Sequence, residues 1–186
     1  MNQVAIAGIR GSYSESAASE YFSSEVELIE CSTFEDVFGS LRTGRAQFAV
    51  IPVSNSTVGE IASTASLMRK YRPEIVGKIV TDVAHVLAVI KDAEFEDVTA
   101  VRSHAEALRQ CSNFFAAHPG FERVTGFDTA SSVRSIVTAG LPHYAAVCSE
   151  RAAEIYGAKV VRRHIANKRS NATTFVVIRA TREVYA

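Results

Sequence analysis

The 186-residue chain has no tryptophan, only four prolines, two methionines and three cysteines, and its twenty Lys and Arg are balanced by twenty Asp and Glu. Without a net charge there is no overall basic field to hold a nucleic-acid backbone or an anionic membrane, so neither partner is expected, although a local cationic pocket stays open to the chain. Cys31, Cys111 and Cys148 are odd in number, widely spaced and free of any C-x-x-C pair. That pattern speaks against a disulfide framework and a zinc site, and for small buried apolar residues. No stretch approaches about 18 uninterrupted apolar residues, and the opening Gln3-Val4-Ala5-Ile6-Ala7 is too short and lacks the basic leader of a secretion signal. A soluble cytoplasmic protein is expected.

Nucleotide and metal chemistry are as poorly provided for. Gly8 and Gly11 do not complete G-x-G-x-x-G, and no G-x-x-x-x-G-K-[ST] occurs. His85, His104, His118, His143 and His164 show no metal-ligand spacing, and no G-x-S-x-G elbow accompanies the serines. No cofactor and no metal ligand are expected.

What the chain does have is a 47% hydrophobic composition, enough for a substantial core in one large domain or two small lobes. Its apolar runs alternate with helical patterns. A strand over Gln3 to Ala7 breaks at Gly8 to Gly11 and leads into a helix over Ser12 to Phe22. A strand at Val26 to Ile29 precedes a helix whose capping box is read as Ser32 with Glu35, ending near Gly44. Phe48 to Val53 is a buried strand, followed by the polar run Ser54 to Thr57 and a helix over Ile61 to Tyr71. Ile75 to Ile90 reads as two strands or one long bent strand. A strand at Val98 to Val101 leads into Ser103, read as a cap with Glu106, and a helix over Ala105 to Ala117. A strand at Val124 to Phe127, a helix over Thr129 to Ala139, a strand at Ala145 to Cys148 with its helix, and closing strands at Val160-Val161 and Phe175 to Ile178 complete the chain. Such alternation favours a parallel or mixed sheet covered by helices.

Several strands run directly into hydroxyl- and amide-rich segments that open a helix: Gly11 to Ser14, Ser54 to Thr57, Ser103-His104 and Asp128-Thr129. Each alone is an ordinary N-cap. Together, at strand ends and helix N-termini that favour anions, they suggest a carboxylate-binding cleft.

Five segments resemble a known family, the prephenate dehydratases. Gly8-Ile9-Arg10-Gly11-Ser12-Tyr13-Ser14 is similar to its opening G-x-x-G-[ST]-[FY]-[ST], and Pro52 to Gly59 to P-I-E-N-S-x-x-G. Ser103 to Cys111 resembles S-H-P-Q-A-L-x-Q-C, Asp128 to Ser131 matches the T-A-S segment, and Asn171-Ala172-Thr173-Thr174-Phe175 is similar to N-x-T-R-F. The segments stand in the family order and span almost the whole chain.

The resemblance implies an α/β, two-lobed type II periplasmic-binding-protein-like fold with the ligand cleft between lobes, residues 1–78 with 167–186 forming one lobe and 79–166 the other. It implies a cofactor-free conversion of the small carboxylic acid prephenate to phenylpyruvate, with loss of water and carbon dioxide, in a homodimer. Thr173 takes the position next to the departing hydroxyl. A threonine hydroxyl is far too weak an acid to be tuned toward neutrality, so its role is that of a positioned hydrogen-bond donor. Ser12, Tyr13, Ser14, Asn55, Ser56, Thr57, Ser103, His104, Asn171, Thr174 and Phe175 are the implied substrate-binding positions.

Two positions depart from the motifs: the family Glu is Ser54 here, and the family Arg is Thr174. Losing an acid and a base together is what replacing one ion pair looks like. The other reading is that the Arg anchored a substrate carboxylate, which a neutral Thr does not match; Arg10, Lys168 and Arg169 are then the candidate replacements. A relative that decarboxylates prephenate without aromatising it, and a silent binding protein for a small acid, stay open beside dehydration. The last motif strand is followed closely by Ala186, so phenylalanine feedback through a trailing ACT domain is not expected.

Overall fold

The computed structural model describes residues 1–23 and 26–181. The first stretch holds β1 (Asn2–Ala7), α1 (Tyr13–Phe22), β2 (Val26–Cys31), α2 (Phe34–Arg42), β3 (Phe48–Asn55), β4 (Gly59–Glu60), α3 (Ala62–Tyr71) and β5 (Glu74–Asp82). The second holds β6 (Val86–Val89), β7 (Ala100–Ser103), α4 (Ala105–Gln110), α5 (Ser112–Ala117), β8 (Glu122–Thr125), α6 (Thr129–Thr138), β9 (Tyr144–Cys148), α7 (Glu150–Tyr156) and β10 (Lys159–Arg162), after which the chain returns as β11 (Ala172–Arg179). These form two compact units, Met1–Val83 with Asn171–Ala186, and Ala84–Ser170. The crossings fall later than the boundaries at 78/79 and 166/167 that the resemblance implies. β5 stays paired with β11 as far as Asp82, and Asn167 is tied by hydrogen bonds to Gln110, Ser112 and Asn113 of the second unit.

In the first unit the sheet order is β2-β1-β3-β11-β5, with β4 paired to β3. β1 runs parallel to β2 and β3, and β11 antiparallel to β3 and β5. The central strands are apolar on both faces, as a sheet covered on both sides requires. One face buries Val4, Ile6, Val50, Phe175 and Val177 against Ala17 and Ala18 of α1. The other buries Ala5, Ala49, Ile51, Val176 and Ile178 against Val37, Phe38 and Leu41 of α2 and Leu67 of α3. Along β11 the two sets alternate, which is the period of two that a strand imposes.

The second unit has the order β10-β6-β9-β7-β8, with β7 parallel to β8 and β9, and β6 antiparallel to β9 and β10. Leu87, Val89, Val101, Leu108, Phe115 and Val147 are among its core residues.

Three local expectations change. The cap of α2 is Thr33 with Asp36, one residue later than Ser32 with Glu35, because both pairs carry the same spacing and the helix turns at the second. Ser103 caps nothing: its hydroxyl donates to the Val147 carbonyl at 2.7 Å, and His104 Nδ1 accepts from Glu106 N–H instead. The single helix read over Ala105 to Ala117 is two helices that meet at Cys111. There Asn167 N–H donates to the Gln110 carbonyl and Asn167 Oδ1 accepts from Asn113 N–H, replacing helical hydrogen bonds with long-range ones.

Candidate functional site

Because β1 and β3 run parallel and β11 antiparallel to β3, the C-terminal ends of β1, β3 and β5 and the start of β11 share one end of the first unit's sheet. The chain leaves β1 through Gly8 and Gly11, both at positive φ (104° and 90°), where a side chain is strained. This turn sets Ser12 as the N-cap of α1, accepting from Glu15 N–H. The buried Glu15 reaches back to Gly11 N–H, and its other oxygen accepts from Ser19. Ser12 and Ser14 are buried in this turn, and Tyr13 packs partly against the α1 face of the sheet.

The polar centre lies one strand over. Asn55, Asn171 and Thr173 are all buried, at 9%, 5% and 8% exposure. Asn55 Nδ2 donates to Asn171 Oδ1 at 2.8 Å and to Thr173 Oγ1 at 2.9 Å. Its Oδ1 accepts from Thr57 N–H at 2.8 Å and Val58 N–H at 3.3 Å, the turn by which an Asn side chain stands in for backbone. The two backbone donors fix which end of the amide is oxygen, so the NH2 group must face Asn171 and Thr173. Thr57 Oγ1 donates to Asn171 Oδ1 at 3.3 Å, while Ser56 and Ala172 exchange hydrogen bonds that latch the loop to β11.

The consequence for Thr173 is specific. Its Oγ1 accepts from Asn55, so its own proton is left for another acceptor. The bonds described in this network are made by amides, hydroxyls and backbone groups whose polarity is fixed by geometry.

Of the expected site residues, Asn55, Ser56, Thr57, Asn171 and Thr173 are thus joined directly, and Ser12, Tyr13 and Ser14 stand at the same end of the sheet. Thr174 alternates to the opposite face, directly across from Ser54. Phe175 is 2% exposed and packs among Val4, Ile6, Val50 and Val177, a core position. Ser103 and His104 belong to the second unit, where the bonds described above occupy the Ser103 hydroxyl and His104 Nδ1. The Arg10 backbone N–H donates to Glu30, and Arg10, Lys168 and Arg169 are all exposed. Motif reading passes over Thr81, which sits on β5 as the cross-strand partner of Thr173. Only strand pairing identifies it, because nothing in its sequence neighbourhood marks it.

Among the described residues no three His, Cys, Asp or Glu side chains group as a metal site, and no helix is long and apolar enough to cross a membrane.

A family model described as prephenate dehydratase matches residues 4–183. The bifunctional chorismate mutase/prephenate dehydratase of Escherichia coli (strain K12) is 34% identical over 179 residues, covering 95% of this chain and 46% of that protein. The chain therefore spans about half the length of the curated relatives it matches. Among solved structures, GqqA, described as a novel type of quorum quenching acylase, superposes with a TM-score of 0.83 at 26% identity, over 96% of this chain and 64% of that one. The Arthrobacter aurescens prephenate dehydratase in complex with L-Phe gives a TM-score of 0.86 at 21% identity, over 96% and 60%, a likeness of fold. A nutrient binding protein from Burkholderia cenocepacia bound to methionine shares the fold at a TM-score of 0.50 and 12% identity, over 97% of this chain and 85% of that one.

Proposed function

The chain belongs to the prephenate dehydratase family, and from that premise we propose that it converts prephenate to phenylpyruvate with loss of water and carbon dioxide. The observation that carries this reading is the Asn55 to Thr173 hydrogen bond, which leaves the Thr173 proton free to meet a departing hydroxyl.

In the reaction the ring C–O bond breaks with its electron pair staying on oxygen, which takes a proton from the Thr173 hydroxyl and leaves as water. The bond from the ring to its carboxylate breaks with its electrons passing into the ring, and carbon dioxide departs. Thr173 is reprotonated from solvent, so the balance is one prephenate and one proton to one phenylpyruvate, one carbon dioxide and one water. Aromatisation supplies the driving force, and no cofactor enters. The demand on the protein is a donor aimed where negative charge develops, in a site with few other waters to compete. Asn55 meets it by holding Thr173 Oγ1 from the far side.

The neutral Ser54 and Thr174 do not weigh against this reading, since their row lies on the other face of the sheet from Thr173. The Ser12 to Ser14 turn stands at the N-terminal, positive end of the α1 dipole and is suited to a substrate carboxylate. A cytoplasmic homodimer accompanies the proposal, to be checked by fractionation and sedimentation. The deciding experiment is incubation with prephenate followed by identification of the product by mass and ultraviolet absorbance. Phenylpyruvate supports dehydration, a dihydro acid points to decarboxylation without aromatisation, and unchanged prephenate ends the proposal.

A further inference from the structure

A hydroxyl oxygen carries one proton and two lone pairs. On Thr173 Oγ1 one lone pair is taken by Asn55 Nδ2–H at 2.9 Å. On the other side of β11, Thr81 of β5 is the Cα partner of Thr173, so Asn55, Thr173 and Thr81 form one row across three neighbouring strands. Directly opposed residues share a face of the sheet, with Cβ atoms roughly 4.5–5.5 Å apart. The register between β5 and β11 is unbroken here; its irregularity lies farther along, between Val177 and Ile178.

Thr81 Oγ1 is buried, and among the described residues no group hydrogen-bonds to it. Buried hydroxyls are nearly always paired, so one that is not calls for a reason. The strand position does not supply it: valine has the same branched shape, suits a strand equally and leaves nothing unpaired. Since Thr81 is directly opposite Thr173, rotation about χ1 between staggered positions is the movement that would bring its oxygen toward Thr173 Oγ1. The second lone pair of Thr173 Oγ1 then has a donor at hand.

We propose that Thr81 is a positioning residue for the reaction, its O–H donating to the second lone pair of Thr173 Oγ1 as the leaving oxygen takes the Thr173 proton. With donors on both lone pairs, the Thr173 proton can point only toward the substrate. The charge that develops on Oγ1 as that proton moves is held by the Asn55 N–H and the Thr81 O–H together. Thr81 itself touches no substrate. The inference rests on the dehydratase reading of Thr173.

The test is steady-state turnover of prephenate and thermal melting for the full chain carrying Thr81→Val, Thr81→Ser, Thr173→Val, and Thr81→Val with Thr173→Val. The expected result is a fall in kcat of about tenfold for Thr81→Val, smaller than the 10²–10³ of a donor in direct contact with the reacting oxygen. KM should stay within about twofold, and melting should be unchanged or raised, since an unpaired hydroxyl has been removed. Thr81→Ser should keep at least about half of kcat, and Thr81→Val should add less than about twofold to Thr173→Val. Full kcat in Thr81→Val, a serine variant as slow as the valine one, or an undiminished effect without the Thr173 hydroxyl would each overturn the role. Wild-type protein that makes no phenylpyruvate would instead overturn the dehydratase reading, and the role of Thr81 with it.

Discussion

Ser54 on β3 and Thr174 on β11 are direct cross-strand partners. By the alternation along β11, which puts Phe175 and Val177 in one core and Val176 and Ile178 in the other, they lie on the face opposite Thr173. These are the two positions where the chain lacks the acid and the base of the family motifs. The two changes are therefore one local event: a neutral hydroxyl pair occupies a place where an ion pair can bridge neighbouring strands. That geometry favours the ion-pair reading of the lost residues over the loss of a substrate anchor.

The row continues from Ser54 to Glu60 on β4 and from Thr174 to Val80 on β5. Ser54→Glu alone would set a carboxylate directly opposite Glu60 and should cost about 0.5–1 kcal/mol. Thr174→Arg alone should shift stability by less than about 0.5 kcal/mol, and the double variant should recover most of the loss through a partly exposed pair coupled by about 0.5–1 kcal/mol. Turnover should change less than about threefold in all three, since none reaches the Thr173 face. Urea melts of both singles and the double measure the coupling; strictly additive effects would show that the facing pair does not interact.

The proton of Thr173 is the subject of a second pair of variants. Thr173→Val should lower kcat by about 10² or more while KM stays within a few fold, because a hydrogen bond made chiefly in the transition state is removed. Asn55→Asp keeps the oxygen that accepts from Thr57 and Val58 but turns the donor end into an acceptor facing Asn171 Oδ1 and Thr173 Oγ1. It should cost about 1–3 kcal/mol of stability and draw the Thr173 proton toward the new carboxylate, with a loss of kcat comparable to that of Thr173→Val. A native kcat in Asn55→Asp would mean that the amide does not orient the hydroxyl.

The sequence makes the alternation of strands and helices legible because local patterns cause it: apolar strand runs, the glycine turn before α1, the Asp128 cap of α6. It is less informative where two local signals compete or a distant residue decides. Ser32 with Glu35 and Thr33 with Asp36 offer the same cap, and only the path of the chain chooses. Nothing near Cys111 announces that Asn167 will split the helix. The motifs mark Asn55 and Thr173 as site residues, but their hydrogen bond spans 118 positions and depends on the register of β3 and β11. Phe175 stands in the same motif as Thr173 and on the same face of β11, but two residues farther along, where α1 covers the sheet, and so it serves the core.

The thiols offer a simple check on the cores. Burial pushes the Cys111 and Cys148 thiols up to about 12, so almost none of either is thiolate near pH 8. Cys31 is also buried, its sulfur against Ser40 Oγ and the Ile29 carbonyl. Native protein should react with an aromatic disulfide reagent at well under about a hundredth of the rate seen in denaturant, and denaturation should release three equivalents. Rapid native reaction of any one thiol would show that its unit opens far more readily than its packing indicates.

His85 should make stability depend on pH in a window of its own. It is buried at the start of β6, its Nε2 2.9 Å from Gln110 Oε1, while Gln110 Nε2 donates to Glu106 at 3.0 Å. With the amide nitrogen so committed, Gln110 presents its oxygen, and the network assigns the proton to His85 Nε2. Burial holds the imidazole below its ordinary value of 6.5, with the Gln110 bond and the Glu106 charge opposing more weakly. The unfolded chain therefore binds the proton first as the pH drops. The contribution of His85 to stability is full above about 6.5 and is lost as the pH falls from there through the folded value. Glu74, Glu106 and Glu150 are held below 4.5, first by hydrogen bonds from Arg179, Arg109 and Arg163, so their losses come only in stronger acid. The urea midpoint of the wild type should accordingly fall between pH 7 and pH 5. In His85→Gln, whose amide N–H can still reach Gln110 but does not titrate, the midpoint should fall much less over the same range. Equal slopes in the two proteins would locate the acid sensitivity somewhere other than this buried imidazole.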